Sequence, residues 1–326
     1  MTQRSKVSII GAGAVGTSTA YALLIKRIAG EVALYDTNKA KVEAEVLDLA
    51  HGSQFTNPSR VYGGDDIEVV RNSDVIVITA GAKQQPGQTR LDLAATNVAI
   101  LEKLMPQLVH LAPDAVFLLV TNPCDVLAYA AVRFSGLPAN RVFSSGTVLD
   151  SSRLRWQLAE RIGVSTESVH AMIVGEHGDS EFALWSEAKI GPVALSQWRV
   201  GGRTPLSKAE LDEIAANVKN AAYKVIEGKG ATNYAIGLSA ARIVEAVLRD
   251  ESVILPVSSV LNDYLGVSDV ALSVPTVVNR QGATRTIPME MTTDELAKFR
   301  ASADALKSSI ASLGLAGTDS SAGAGV

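Results

Sequence analysis

The sequence predicts an α/β chain with a doubly wound parallel sheet in its first half and a mixed α+β unit in its second. Three observations predict it. Short apolar runs alternate with stretches of helical spacing up to about residue 146, a glycine-rich string separates the first run from the first helical stretch, and after Thr147 the texture shifts to longer helices and hairpin-like runs. Strands that alternate with helices are joined by crossovers, and crossovers make neighbouring strands parallel.

Residues 6–10 read as the first strand, 15–27 as the first helix and 31–35 as a second strand ending in Asp36, which together make a βαβ unit. The alternation continues with a strand over 74–79, a helix over 91–111, a strand over 115–120, a helix starting near Asp125 and a strand over 141–144. Beyond Thr147, helices are expected over 150–162, 207–227 and 233–250, and strands around 253–264, 269–278 and 283–287, the last two joined through Asn279 to Gly282. A helix over 292–313 closes the ordered chain, with Thr292 or Thr293 as N-cap and Asp294 and Glu295 in its first turn. The expected units are 1–146 for nucleotide binding, with the helix at 231–250 packing back near it, 147–316 for catalysis, and a Gly/Ser/Ala-rich flexible tail over 317–326.

Hydrophobic residues make up 47% of the chain, but runs such as Val75 to Ile78 and Ala115 to Val120 are too short to cross a bilayer, so no membrane association is expected. Residues 1–6 lack the apolar core of a secretion signal, which predicts a cytoplasmic protein. The single cysteine, Cys124, excludes an internal disulfide and a multi-thiolate metal site, and it reads as buried filler; no metal is expected. The net charge of −4 comes from 30 basic and 34 acidic residues that are interspersed, which argues against nucleic acid and for a small-molecule partner.

Gly11-Ala12-Gly13-Ala14-Val15-Gly16 is a G-x-G-x-x-G string placed directly between strand and helix. Gly11 permits the tight turn, Gly13 removes a Cβ that would block a pyrophosphate from the helix N-terminus, and Gly16 lets helix and strand approach closely. Asp36 ends the second strand, where a carboxylate can accept hydrogen bonds from an adenosine ribose and would repel a 2′-phosphate, which favours NAD over NADP. Strand, loop, helix and acid in this register describe a Rossmann dinucleotide site, against the plainer alternative of a glycine-rich turn without a ligand.

Four histidines occur: His51, His110, His170 and His177. His177 stands in Gly175-Glu176-His177-Gly178-Asp179, after the apolar run 172–174, so a strand delivers its imidazole into a turn. Reducing a ketone with hydride requires a proton for the developing alkoxide, and imidazole exchanges one near neutral pH. Asp150 can accept from His177 and favour the imidazolium, or serve as a helix N-cap, and both roles are compatible. Arg153, three residues on, shares a helix face with Asp150, and its guanidinium can hold a carboxylate through two parallel hydrogen bonds. Taken singly, each of these residues has a blander reading: an ordinary hydrogen-bonded histidine, a cap, a solvated arginine.

Taken together they resemble the L-lactate/malate dehydrogenase family, and within it the bacterial L-lactate dehydrogenases. The resemblance runs through Gly11 to Gly16, Asp36, Asp48 to Gly52, Thr79 to Ala82, Pro86-Gly87 with Arg90, Thr121-Asn122-Pro123, Asp150 with Arg153, Gly175 to Asp179 and Gly230 to Thr232. It implies that residues 82–91 form a lid bringing Arg90 against the reacting carbonyl oxygen, and that Asn122 contacts cofactor and substrate. It further implies that His177 pairs with Asp150, Arg153 clamps the substrate carboxylate, and Thr232 lines the pocket. Gly11, Gly13, Ala14, Val15, Gly16, Asp36, Thr79, Ala80, Gly81, Asn122 and Ile236 would contact NAD. Malate enzymes of the family have an arginine where this chain has Gln84, and a neutral amide cannot balance the second carboxylate of oxaloacetate, so pyruvate/lactate is the implied substrate pair. Lys83 is adjacent, and Gln88 stands where an acid is common. Arg155 and His170 match positions that bind fructose 1,6-bisphosphate in allosteric members, which implies a regulated homotetramer acting in glycolytic fermentation. His51 is expected to serve structure and His110 to be exposed. The alternatives are a malate dehydrogenase or other 2-oxo acid reductase, and a non-catalytic NAD-sensing module.

Overall fold

The computed structural model describes residues 5–56, 59–82, 89–199 and 206–315. In chain order the first half contains β1 (Lys6–Ile10), α1 (Ala14–Lys26), β2 (Glu31–Tyr35), α2 (Lys39–His51), β3 (Arg60–Gly64), β4 (Val75–Ile78), α3 (Arg90–Leu111), β5 (Val116–Leu119), α4 (Cys124–Ser135) and β6 (Val142–Ser144). These six strands are parallel in the order β3-β2-β1-β4-β5-β6, the doubly wound arrangement, with its switch point between β1 and β4. Alternate residues face opposite sides, and both sides are apolar. Val7, Ile9, Val75, Val77 and Leu118 meet α1, whereas Ile10, Ile76, Ile78, Phe117 and Leu119 meet α3 and α4. Burying each such side chain contributes about 1.5–3 kcal/mol, which makes this sheet the rigid frame of the molecule.

The second half contains α5 (Val148–Ile162), the two-residue strands β7 (Val169–His170), β8 (Ile173–Val174), β9 (Phe182–Ala183), β10 (Lys189–Ile190) and β11 (Val193–Ala194), and helices α6 (Lys208–Lys229) and α7 (Tyr234–Leu248). It continues through β12 (Val253–Leu255), β13 (Ser258–Val260), β14 (Ala271–Ser273), β15 (Thr276–Asn279) and β16 (Gly282–Thr286) to α8 (Thr293–Ser312). Helix α7 lies on α1, and so closely that a Cβ on Gly237 would fall 2.8 Å from the Ser18 carbonyl carbon.

Two expected strands differ in a way that matters for the site. The run at 253–264 divides at Pro256 and the run at 269–278 divides at Pro275, since proline has no N–H for a ladder. One half of each, β12 and β15, builds a small antiparallel sheet with β16. The other halves, β13 and β14, join the antiparallel edge beside β6, so the main sheet has eight strands and is not wholly parallel. Thr292 caps α8 in a reciprocal capping box with Glu295, as the first of the two threonines expected there.

Candidate active site

The crevice opens where the loops after β1 and β4 diverge. Gly11 has φ +101°, and a Cβ there would lie 2.8 Å from the Ala80 amide nitrogen; a Cβ on Gly16 would lie 1.9 Å from the Gly11 carbonyl oxygen. A Cβ on Gly13, by contrast, would meet nothing within 4 Å. The N-terminus of α1 therefore faces open space, with no side-chain cap and no acid in its first turn, so its amide N–H groups and the positive end of its dipole are available to an anion. Asp36 is fixed beside them: its Oδ2 accepts the Ala12 N–H at 2.8 Å and its Oδ1 accepts the Asn38 N–H at 3.0 Å. Thr79 donates to the Ile10 and Gly11 carbonyls, each 3.0 Å away, which braces the loop. Ala14 and Gly81 are exposed, and Ala80, Val15 and Ile236 are half-buried against the sheet core. These residues fit a dinucleotide, whose pyrophosphate the uncapped N-terminus of α1 beside Gly13 would hold.

At the end of β5, Asn122 is exposed and precedes a cis peptide to Pro123. Its backbone carbonyl accepts from Asn97 Nδ2 at 2.8 Å, while Asn97 Oδ1 accepts the Ala82 N–H at 2.7 Å. Asn97 thus ties the root of the expected lid to the Asn122 turn. The sequence reading missed it, although an asparagine on the apolar stripe Leu93-Ala94-Asn97-Leu101 of α3 was the available sign.

Helix α5 and the β8–β9 hairpin bring the acid–base pair together. Thr147, at the N-cap position, donates from Oγ1 to the Ile173 carbonyl at 2.6 Å, and Ser151 Oγ accepts the Ile173 N–H at 2.9 Å, so the start of α5 is docked on β8. Asp150 is accordingly the third helical residue and not the N-cap, which corrects that alternative: its carboxylate is turned to side chains instead of to the helix amides. His177 Nδ1 lies 2.7 Å from Asp150 Oδ2, and Arg153 Nη1 donates to Asp150 Oδ1 at 2.7 Å. The Asp150 side chain is 2% exposed, Arg153 16% and His177 26%. The hairpin loop is held from three sides. Gly175 exchanges two 3.0 Å hydrogen bonds with Ser273 of β14, the Glu176 N–H donates to Ser302 Oγ of α8 at 2.8 Å, and the His177 N–H donates to Asp125 Oδ2 of α4 at 2.7 Å.

Electrostatics follow from this packing. Burial works against the His177 imidazolium, but the adjoining Asp150 carboxylate, with Asp125 and Glu181 behind it, prevails and raises the ring to about 9. Burial would lift Asp150 as well, yet the neighbouring charges of His177 and Arg153 hold it below the usual carboxylate range. Glu181, which the sequence reading also missed, is pushed up to about 8 by burial and by the Asp150 charge. Asp150, His177 and Glu181 place ligating atoms within 4.8 Å of one another, a spacing a metal ion could use, but Arg153 already supplies a cation there.

Arg90 begins α3, and Gln84, Lys83 and Gln88 lie outside the described residues. Thr232 is half-buried in the connection between α6 and α7. Arg155 Nε donates to the Ala171 carbonyl at 2.9 Å, beside exposed His170, which pairs across β7 and β10 with Lys189. His110 is exposed, as expected, and His51, expected to serve structure, is exposed at the end of α2. Cys124 is buried, and burial raises its thiol well above the usual range.

The model of the lactate/malate dehydrogenase NAD binding domain matches residues 5–144, and that of the lactate/malate dehydrogenase alpha/beta C-terminal domain matches residues 147–314. An L-lactate dehydrogenase from Bifidobacterium animalis subsp. lactis is 49% identical over 311 residues, which span 95% of this chain and 97% of that relative. One from Synechococcus sp. is 46% identical over 308 residues, covering 94% of this chain and 99% of its own length. Among solved structures, the ligand-bound minor L-lactate dehydrogenase from Enterococcus mundtii superposes with a TM-score of 0.90 at 39% identity, covering 94% of this chain and 98% of that one.

Proposed function

The chain belongs to the lactate/malate dehydrogenase family, and from that premise we infer that it is an L-lactate dehydrogenase, an NAD-dependent oxidoreductase that interconverts pyruvate and L-lactate. The observation that carries the reading is the buried contact of Asp150 with both His177 and Arg153. Held by the loop over Gly11 to Gly16 and by Asp36, NADH would supply the hydride for the keto carbon of pyruvate. The protein supplies the rest. With Nδ1 turned to Asp150, His177 presents Nε2 outward, and at neutral pH that nitrogen carries the proton the new alkoxide needs. Arg153 has five N–H donors, of which Asp150 takes one, so the guanidinium can still grip the pyruvate carboxylate. In this reading Arg90 polarises the carbonyl oxygen when the lid closes, and Asn122 and Thr232 line the pocket.

Gln84 sets the preference for pyruvate. A neutral amide at position 84 cannot balance the second carboxylate of oxaloacetate, and burying that carboxylate unpaired costs several kcal/mol, so kcat/KM for pyruvate is expected to exceed that for oxaloacetate by about 10^3-fold. Steady-state rates with pyruvate, oxaloacetate and 2-oxoisocaproate measure this. A ratio favouring oxaloacetate would make the enzyme a malate dehydrogenase, and a chain that binds NADH but turns over none of the three would be a sensor. Gln84→Arg is expected to shift the ratio toward oxaloacetate.

Arg155 and His170 we assign to an effector site for fructose 1,6-bisphosphate between protomers of a homotetramer. The assignment is supported by the hydrogen bond from Arg155 to the Ala171 carbonyl, next to His170, and by the pairing of Lys189 with His170, which bring donors suited to a bisphosphate onto neighbouring positions. Pyruvate half-saturation is expected to fall when the bisphosphate is added; superimposable saturation curves would remove the assignment. Among the described residues no helix is long and apolar enough to cross a membrane. On the family reading alone, we assign the enzyme to the cytoplasm, regenerating NAD in glycolytic fermentation.

A further inference from the structure

Asp125 is 2% exposed in the first turn of α4, and one of its oxygens accepts the His177 backbone N–H. The other, Oδ1, has no hydrogen-bond partner among the described residues. Nor has the Ser258 hydroxyl on β13, which lies near enough to favour the ionised carboxylate but without hydrogen-bond geometry. A half-satisfied carboxylate at this depth costs free energy, and stability alone does not call for it. Asparagine has nearly the same shape, would accept the same N–H, and would present an amide donor where Ser258 waits. The negative charge itself therefore needs a reason, and the cation whose field favours it is the imidazolium of His177.

We propose that Asp125 is a positioning residue for His177: one oxygen fixes the turn that carries the imidazole, and the charge, kept against the interest of the fold, holds that imidazole protonated. This rests on the reading of His177 as proton donor.

The groups that face the pair are few. Asp150 and Arg153 approach from α5, Glu176 and Glu181 from the hairpin loop, the Cys124 thiol from α4, and the hydroxyls of Ser258 and Ser302 from β13 and α8. Asp150 acts on the ring by direct contact and Asp125 from behind the backbone, so the two charges add. Burial pushes Asp125 up to about 6, against the pull of Ser258 and His177, and Glu176 pushes in the same direction as burial. Near pH 7 it is ionised. As pH falls through about 6 a proton can settle on Oδ1 and be donated to Ser258, leaving the turn in place but without its charge.

The sign for stability is opposite to that for function. An acid whose folded value is raised contributes stability below its ordinary value of 3.8, and this is lost as pH rises through about 6. At pH 8 the ionised Asp125 is thus a burden on the fold.

The test uses the full chain as wild type, Asp125→Asn and Asp125→Ala, with His177→Asn to assign the His177 signal among four histidine imidazoles. In Asp125→Asn the Tm at pH 8 is expected to equal or exceed that of wild type. Its His177 imidazole, followed by NMR, is expected to titrate roughly one pH unit lower, and the alkaline limb of kcat/KM for pyruvate to move with it. In Asp125→Ala the acceptor is gone, and kcat is expected to fall on the order of 10^2-fold with NADH affinity retained. A His177 titration in Asp125→Asn that coincides with wild type overturns the role of the charge, and wild-type kcat in Asp125→Ala overturns the role of the hydrogen bond. The imidazole titration is read without turnover, so wild-type chain that fails to reduce pyruvate would sink the proposed activity and leave this test standing.

Discussion

Replacing His177 by Asn is expected to lower kcat for pyruvate reduction about 10^4-fold while leaving NADH binding close to wild type. The side chain sits at the end of a hairpin loop held by β14, α4 and α8, none of which depends on the imidazole, so the loop should survive the change. What is lost is the proton. With the ring raised to about 9, wild-type reduction should run at full rate through neutral pH and decline as pH passes 9, whereas lactate oxidation, which needs the neutral ring, should gain over the same interval. The stability sign agrees: a base raised above 6.5 contributes stability that is complete below 6.5 and disappears as pH climbs through about 9. The Tm of wild type should therefore fall more steeply than that of the variant across that window. Stopped-flow reduction and NADH fluorescence titration separate chemistry from binding, and a variant retaining more than a few per cent of wild-type kcat would remove His177 from the reaction.

Arg153→Leu is expected to cost about 3 kcal/mol of stability and to lower kcat/KM for pyruvate about 10^3-fold, mostly through KM. Both effects have one source. Asp150 is almost wholly buried and is satisfied by two partners, so removing the guanidinium leaves one carboxylate oxygen without a partner and the substrate carboxylate without its fork. Arg153→Lys separates them: an ammonium restores charge beside Asp150 but not the planar bidentate grip. The lysine variant should regain much of the Tm and little of the kcat/KM. Near-normal kcat/KM in Arg153→Lys would mean the carboxylate is held elsewhere.

Local chemistry made much of this legible beforehand. The glycine string, the acid after β2 and the βα alternation are short-range signals, and Asp150, Arg153 and His177 could be singled out because a helix spacing and a glycine-flanked turn limit where their side chains go. The α2–β3 segment was not read because α2 buries only Val42 and β3 is a half-exposed edge strand, so neither carries a strong apolar period. The partition of β12 from β13 and of β14 from β15 hinges on prolines, whose meaning depends on which distant strand each half will meet. Asp125 was invisible for the same reason, an ordinary polar residue at a helix start until folding sets it against a partner 52 residues away, and Asn97, although marked by its place on an apolar stripe, has its partner 25 residues away.

The antiparallel pair β13–β14 at the border of the main sheet has a consequence for how the molecule comes apart. A chain severed near residue 146 would leave β6 with a bare row of amide and carbonyl groups along its outer margin, open to pairing with any other chain. The same seam carries Ser273, whose neighbour across the bridge is the glycine that opens the histidine loop. The histidine loop itself reaches across the divide, because the His177 N–H is held by Asp125 of α4 in the first half, so separating the halves also frees the turn that carries the imidazole.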